Sequence, residues 1–289
     1  MGKRKSLVRQ GVEKLLSMAA YGHSKHHDKR ENHGKPAREK IYSSCTMDNY
    51  IDVASRFLKW AQKAHGCRNL DETRQHVSEY LTIRIATKSA WTARMEAAAL
   101  AKLFQSSTTE LGVELPKRHR KNITQHRDNK WVGHFNPDHY PDLVAFSKAS
   151  GLRRHELALV TPVDVFQRED GMIFVFVRSG KGGKSRYAPC LNDEPLRIAQ
   201  QAAAEGRELI FEHIPKYMPV HEYRAQYAQT VYRRNARDIA NLPQNERYIC
   251  RGDMAGKVFD KKAMSMASQA LGHSRLSVIA DHYLYDLHK

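Results

Sequence analysis

The sequence is poor in the features that mark secreted and membrane proteins. Its four cysteines, Cys45, Cys67, Cys190 and Cys250, are scattered over 289 residues with no C-x-x-C pair. That spacing argues against a disulfide framework and a thiolate zinc site, and points to a reducing compartment. No run of eighteen apolar residues occurs, so no stretch reads as a membrane-spanning helix. The basic opening MGKRKSLVRQ leads into no apolar segment, which excludes a secretory signal. Its match to the loose myristoylation pattern is too short to carry weight. Acidic residues are also few: 31 Asp and Glu stand against 48 Lys and Arg, a net charge of +17. That excess predicts a polyanionic partner, nucleic acid before any other, because each neutralised phosphate releases condensed counterions. A merely basic surface would give the same total.

What is present divides the chain. Residues 1–40 hold eleven Lys/Arg against four Asp/Glu and read as a basic N-terminal arm with one helix around VRQGVEKLLSMAA. The histidines of HSKHHDKRENHGK are irregularly spaced and read as a solvated tail rather than a metal site. Residues 41–116 turn helical. TMDNYIDVASRFLKWAQKAHG opens on a Thr cap and ends at Gly, with Tyr50, Val53, Phe57 and Trp60 on one face. LDETRQHVSEYLTIRIA and KSAWTARMEAAALAKLFQSS follow as amphipathic helices. Residues 117–130 carry six Lys/Arg and one acid without an apolar period, which predicts a cationic linker. Residues 131–289 form the second domain. It begins with a helix over PDLVAFSKAS and a helix over RRHELALV. A three-stranded antiparallel meander over VDVFQ, MIFVFVRS and SRYAPC comes next. Then come a long helix from HEYR, a small hairpin over RYICRGDMAGKVFD, and a helix from Asp260 to the terminator Gly272.

Several motifs suit phosphate chemistry, though each alone has a bland reading. In HEYR, His221 and Arg224 leave a helix on one face, pairing a proton carrier with a bidentate oxygen clamp. In GLRRHEL, Arg153 stands at a helix start where backbone N–H groups add to an anion site, and Glu156 is placed to orient it. SGKGGKS has Arg178 where a phosphate loop needs its first Gly, and it joins two strands, so nucleotide binding is rejected. Lys181 at that hairpin tip reads either as a solvated turn lysine, the commoner case, or as a group that reaches into a groove to protonate a leaving group. LGHS puts His273 after a helix-ending Gly, and Tyr283 follows ten residues later on a short helix capped by Ser277. The letters CRGD carry no adhesion meaning in such a chain.

Taken in order, GLRRHEL, GKGGK, HEYR, LGH and HYL resemble the tyrosine recombinases, the phage-integrase superfamily. The resemblance covers residues 151–283, and more loosely the helical region before them. It implies a mainly α fold with a small antiparallel β-meander, arranged as a two-domain C-shaped clamp of a core-binding and a catalytic domain. It also implies that Tyr283 attacks a DNA phosphodiester to form a 3′-phosphotyrosyl link. Arg153 and Arg224 would hold the non-bridging oxygens, His221 and His273 would assist proton transfer, and Lys181 would protonate the 5′-oxygen. The covalent link conserves bond energy, so neither cofactor nor metal is implied. The family's spacing selects Tyr283 over Tyr285. Two residues further on, Tyr285 would point roughly 200° away on an α-helix and have a packing role. Lys117, Arg118, Arg120, Lys121, Lys184 and Arg186 are the expected DNA contacts. The implied partner is double-stranded DNA at paired sites, bound by a homotetramer that is weakly associated or monomeric off DNA. The setting is the cytoplasm and nucleoid, away from membranes, with room for a directionality factor.

Three departures stand out. Forty-eight residues separate Arg224 from His273, with YICRGDMAGKVFD filling the gap. Six residues follow Tyr283, so any exchange of tails between protomers is expected to be minimal or made by another segment. Residues 1–40 are short for a separate arm-site domain, which favours a simple recombinase acting on short sites, and the spacing favours service to a mobile element. The rival readings are a type IB topoisomerase and a non-catalytic DNA-binding protein of the same fold. A metal-dependent rolling-circle nickase is disfavoured because the chain contains no His-x-His.

Overall fold

The computed structural model describes residues 5–35, 37–123, 134–180 and 183–288. The chain forms two compact units that divide between Asn122 and Ile123.

The first unit is all helical: α1 Leu7–Leu16, α2 Lys25–Glu31, α3 Ser44–His65, α4 Leu70–Arg74, α5 Val77–Thr87 and α6 Ala90–Leu103. Helix α1, in the stretch expected as a basic arm, packs into the core of this unit. Helix α1 starts at Ser6, whose hydroxyl accepts from Arg9 N, and it lays Leu7 and Leu15 into the core beside Phe57, Leu58, Leu81 and Leu100. The basic residues of this stretch obscure an amphipathic stripe that pulls the segment in. Helix α3 is capped by Ser43 rather than by Thr46 and ends at Gly66, whose φ of +66° suits a residue without a side chain. The stretch from Leu70 to Ala86 breaks into α4 and α5 rather than forming one helix. Helices α5 and α6 are tied by Arg84, which grips the buried Glu96 through Nε (2.7 Å) and a terminal nitrogen (2.6 Å).

The second unit opens with α7 Pro141–Ser150 and the single turn α8 Arg154–Leu157. Strands β1 Val165–Gln167, β2 Ile173–Val177 and β3 Arg186–Pro189 form the expected antiparallel meander. Val175 pairs with Val165 on one side and Ala188 on the other, so alternate residues of β2 face the core. Helix α9 Glu194–Ala204, which the sequence reading passed over, packs on α7. Helix α10 Val220–Asn235 is followed by the hairpin of β4 Arg247–Ile249 and β5 Val258–Asp260, then by α11 Lys261–Ala270 and α12 Leu276–Ile279.

The insertion between α10 and α11 is anchored where it rejoins the fold. Asp260 caps α11 by accepting from Lys262 N and Ala263 N, and it also takes bonds from the Arg237 backbone and guanidinium. These donors hold its carboxyl far below the usual range despite burial. The last turns depart from expectation. Arg275, not Ser277, is the N-cap of α12, and Ala280–Leu284 continues as a π-helical turn. Single π turns inside helices are often found at functional sites.

Candidate active site

The carbonyl ends of α7 and α11 set the site. Gly151 closes α7 at φ +62°, and a Cβ there would come within 2.4 Å of the Tyr227 ring, so that only glycine fits. Its carbonyl and that of Leu271 then accept from the two terminal nitrogens of Arg224. Arg224, on the second turn of α10, is only 1% exposed, and its Nε donates to the Tyr283 hydroxyl across 3.2 Å. Burial lowers this guanidinium to about 10, Tyr283 works the other way and Arg153 adds to the lowering, so it stays charged at neutral pH.

Tyr283 lies in the π-helical turn and is 7% exposed. Its hydroxyl is also 3.3 Å from Nε2 of His273, and that nitrogen is 3.5 Å from an Arg153 terminal nitrogen. His273 is held in place by its neighbours: its N–H donates to Ser268 O and its carbonyl accepts from Ser268 Oγ. The phenol therefore sits between an imidazole and a buried guanidinium, with a second guanidinium one residue further out.

Arg153 begins α8. Glu156, one turn on, accepts from Arg153 N and from its guanidinium, both at 2.8 Å. The same carboxylate takes a two-pronged contact from Arg186 on β3, at 2.7 and 2.8 Å. Burial alone would raise Glu156, but Arg186 and Arg153 together hold it at about 2. Arg186, expected from sequence as a DNA contact, also braces the protein from the cleft wall: its side chain is 10% exposed, and Nε turns to the Ala270 carbonyl. It also lies against Gly272, where a Cβ would come within 2.8 Å of Arg186 Cδ.

A cleft of about 660 Å³ opens over this network, lined by Arg153, Lys184, His273, Arg275, His282 and Tyr283 among others. Its cations suit an anion, and its floor carries the one nucleophile type that the motif order singled out.

The structure thus brings together Arg153, Glu156, Arg224, His273 and Tyr283. It places His221 exposed on the first turn of α10, one turn before Arg224. Lys181 lies outside the described residues. Tyr285 is half-buried against the core cluster that contains Tyr283. The chain there is π-helical and then 3₁₀, so the 200° offset of an α-helix does not apply. Lys184 stands exposed at the cleft, Lys117 and Arg118 are exposed, and Arg120 is half-buried in a 3₁₀ turn. The Lys121 side chain is outside the described part. Arg224 is buried, and in the structure its guanidinium turns to two backbone carbonyls and the phenol.

The bracing roles of two arginines are not legible in the sequence. Arg154 donates to the carbonyls of Ile214, Pro215, Lys216 and Met218 and so fixes the loop that delivers α10. Arg186 was taken for its charge alone; its i±2 relation to buried Ala188 on β3 was the available sign that it points toward protein.

No family model and no curated protein matches the chain. Solved structures do. The XerH site-specific recombinase bound to palindromic difH substrate in a post-cleavage complex is 14% identical, with 97% of this chain and 91% of that one covered at a TM-score of 0.56. The XerH pre-cleavage complex with difH substrate is 13% identical, with 98% and 93% covered at 0.53. The chain therefore has the tyrosine-recombinase fold, mainly helical with small antiparallel sheets.

Proposed function

We propose that the protein is a DNA strand transferase, a site-specific recombinase or integrase that cuts and rejoins duplex DNA through Tyr283. The observation that carries this reading is the Tyr283 hydroxyl held between Arg224 Nε and His273 Nε2 at the floor of a cationic cleft. In the proposed step, the phenol oxygen bonds to a phosphorus as the P–O bond to the 5′-oxygen breaks. The phenol proton passes to the imidazole of His273, which suits a group whose reference pKa of about 10 keeps it protonated at neutral pH. Arg153 and Arg224 stabilise the charge that grows on the phosphoryl oxygens. His221 adds a second imidazole from α10, and Lys181 delivers a proton to the departing 5′-oxygen. The product is a 3′-phosphotyrosyl link plus a 5′-hydroxyl. Attack by a 5′-hydroxyl from a second duplex reverses the chemistry and joins the strands, so no ATP is consumed.

DNA is the polyanion that answers the +17 charge, with Lys184, Lys117 and Arg118 as exposed phosphate contacts. The working assembly is a homotetramer on paired sites, serving a mobile element in the cytoplasm. The test is a plasmid with two copies of the cognate site. Recombined product supports the reading, whereas relaxed plasmid without exchange would assign a topoisomerase, and binding without either would leave a non-catalytic protein.

A further inference from the structure

The first unit carries a cluster that the DNA chemistry does not use. His65 is the last residue of α3, His76 is the N-cap of α5, and Glu79 lies in the first turn of α5. One oxygen of Glu79 is 3.1 Å from His65 Nε2 and 3.8 Å from His76 Nδ1, and the three ligand atoms all lie within 4.8 Å of one another. We propose that His65, His76 and Glu79 bind one zinc-like divalent cation that ties the end of α3 to the start of α5.

The donor set suits such an ion: two neutral imidazoles and a carboxylate leave one tetrahedral position for water. With bonds of about 2.0–2.1 Å, tetrahedral ligand atoms stand about 3.4 Å apart, so the cluster is close to the required span. The residues converge by construction. Gly66, at φ +66°, turns the chain out of α3, and α4 with its Arg68–Glu72 bond brings it back to His76. The site stands on an aromatic floor: Trp60 meets the His65 ring edge-on at 5.1 Å and leans on Tyr80, which is buried. The two imidazoles are stacked, 3.7 Å apart at 10°, so both lone pairs cannot yet aim at one point. Coordination requires one ring to tilt, and the partly exposed side chains leave room for that. Tilting His65 changes its contact with Trp60, which gives the site an optical signal.

A second group, His27, Asp28 and Glu31, also has ligand spacing. Asp28 there already accepts from Tyr42 and Lys40, which makes it the poorer candidate.

The experiment is titration of the full chain with zinc by calorimetry and tryptophan fluorescence, and with cobalt by visible absorption. One saturable zinc site per chain, with a fluorescence change and tetrahedral cobalt bands, is expected in the wild type and in His27→Ala. Affinity should fall at least tenfold in both His65→Gln and His76→Gln, each first shown to be folded by circular dichroism. Zinc should also raise the melting temperature of the wild type and not that of His76→Gln. No saturable binding, or binding that persists in both glutamine variants, or loss in His27→Ala alone, would overturn the assignment.

Discussion

Arg224 Nε donates to the Tyr283 hydroxyl across 3.2 Å while the rest of its guanidinium holds the ends of α7 and α11. One residue therefore organises both the core of the unit and the Tyr283 phenol. Arg224→Ala leaves two buried carbonyls without their donor, which should cost about 3 kcal/mol or more. Urea unfolding should show the midpoint drop, and Arg224→Lys should recover only part of it because an ammonium cannot span three acceptors. An unchanged midpoint in Arg224→Ala would contradict the structural half of this role.

Glu156 makes stability depend on acid. Its carboxyl sits at about 2 in the folded protein against an ordinary 4.5, so the folded state binds that proton more weakly than the unfolded chain. The resulting stabilisation, about 3 kcal/mol, is fully present above pH 4.5 and is lost as pH falls through 2. Glu156→Gln should be markedly less stable at pH 7, and the gap from wild type should narrow between those two pH values. A gap that stays constant across that window would assign the loss to packing alone.

Gly151→Ala tests the backbone beneath the site. The new methyl meets the Tyr227 ring, and φ of +62° is itself disfavoured for alanine. Because the Gly151 carbonyl accepts from Arg224, the variant should lose more than 1 kcal/mol in stability and also slow any Tyr283 chemistry. Destabilisation with full activity would show that the carbonyl need not hold Arg224 in place.

These three residues show how far the sequence could be read. Arg153, Glu156, Arg224, His273 and Tyr283 were visible because each motif places a chemically specific residue at fixed spacing, and the meander was visible in the short apolar runs VDVFQ and MIFVFVRS set off by the turns REDG and GKGGK. Tertiary competition was not visible. Leu7 and Leu15 look like part of a charged arm until the groove that receives them exists. Arg186 looks like any basic strand residue until Glu156 is brought beneath it. The π-helical turn has no sequence sign at all, so the direction of Tyr285 could not be taken from an α-helical period.

Lys184 separates phosphate contact from chemistry. It is exposed at the cleft, so Lys184→Gln should weaken duplex binding similarly for all sequences and lower the log–log salt slope by about 0.9. Fluorescence anisotropy across a salt series reads this directly. An unchanged slope would remove Lys184 from the interface.

The central claim is that Tyr283 is the nucleophile. The most direct measurement uses a suicide substrate bearing the cognate site, or a pool of genomic fragments, with denaturing gels run in EDTA. Wild type, Tyr285→Phe and Tyr283→Phe are compared. A covalent protein–DNA adduct is expected in the first two and absent only in Tyr283→Phe. An adduct that persists in Tyr283→Phe, or vanishes only in Tyr285→Phe, would contradict the assignment.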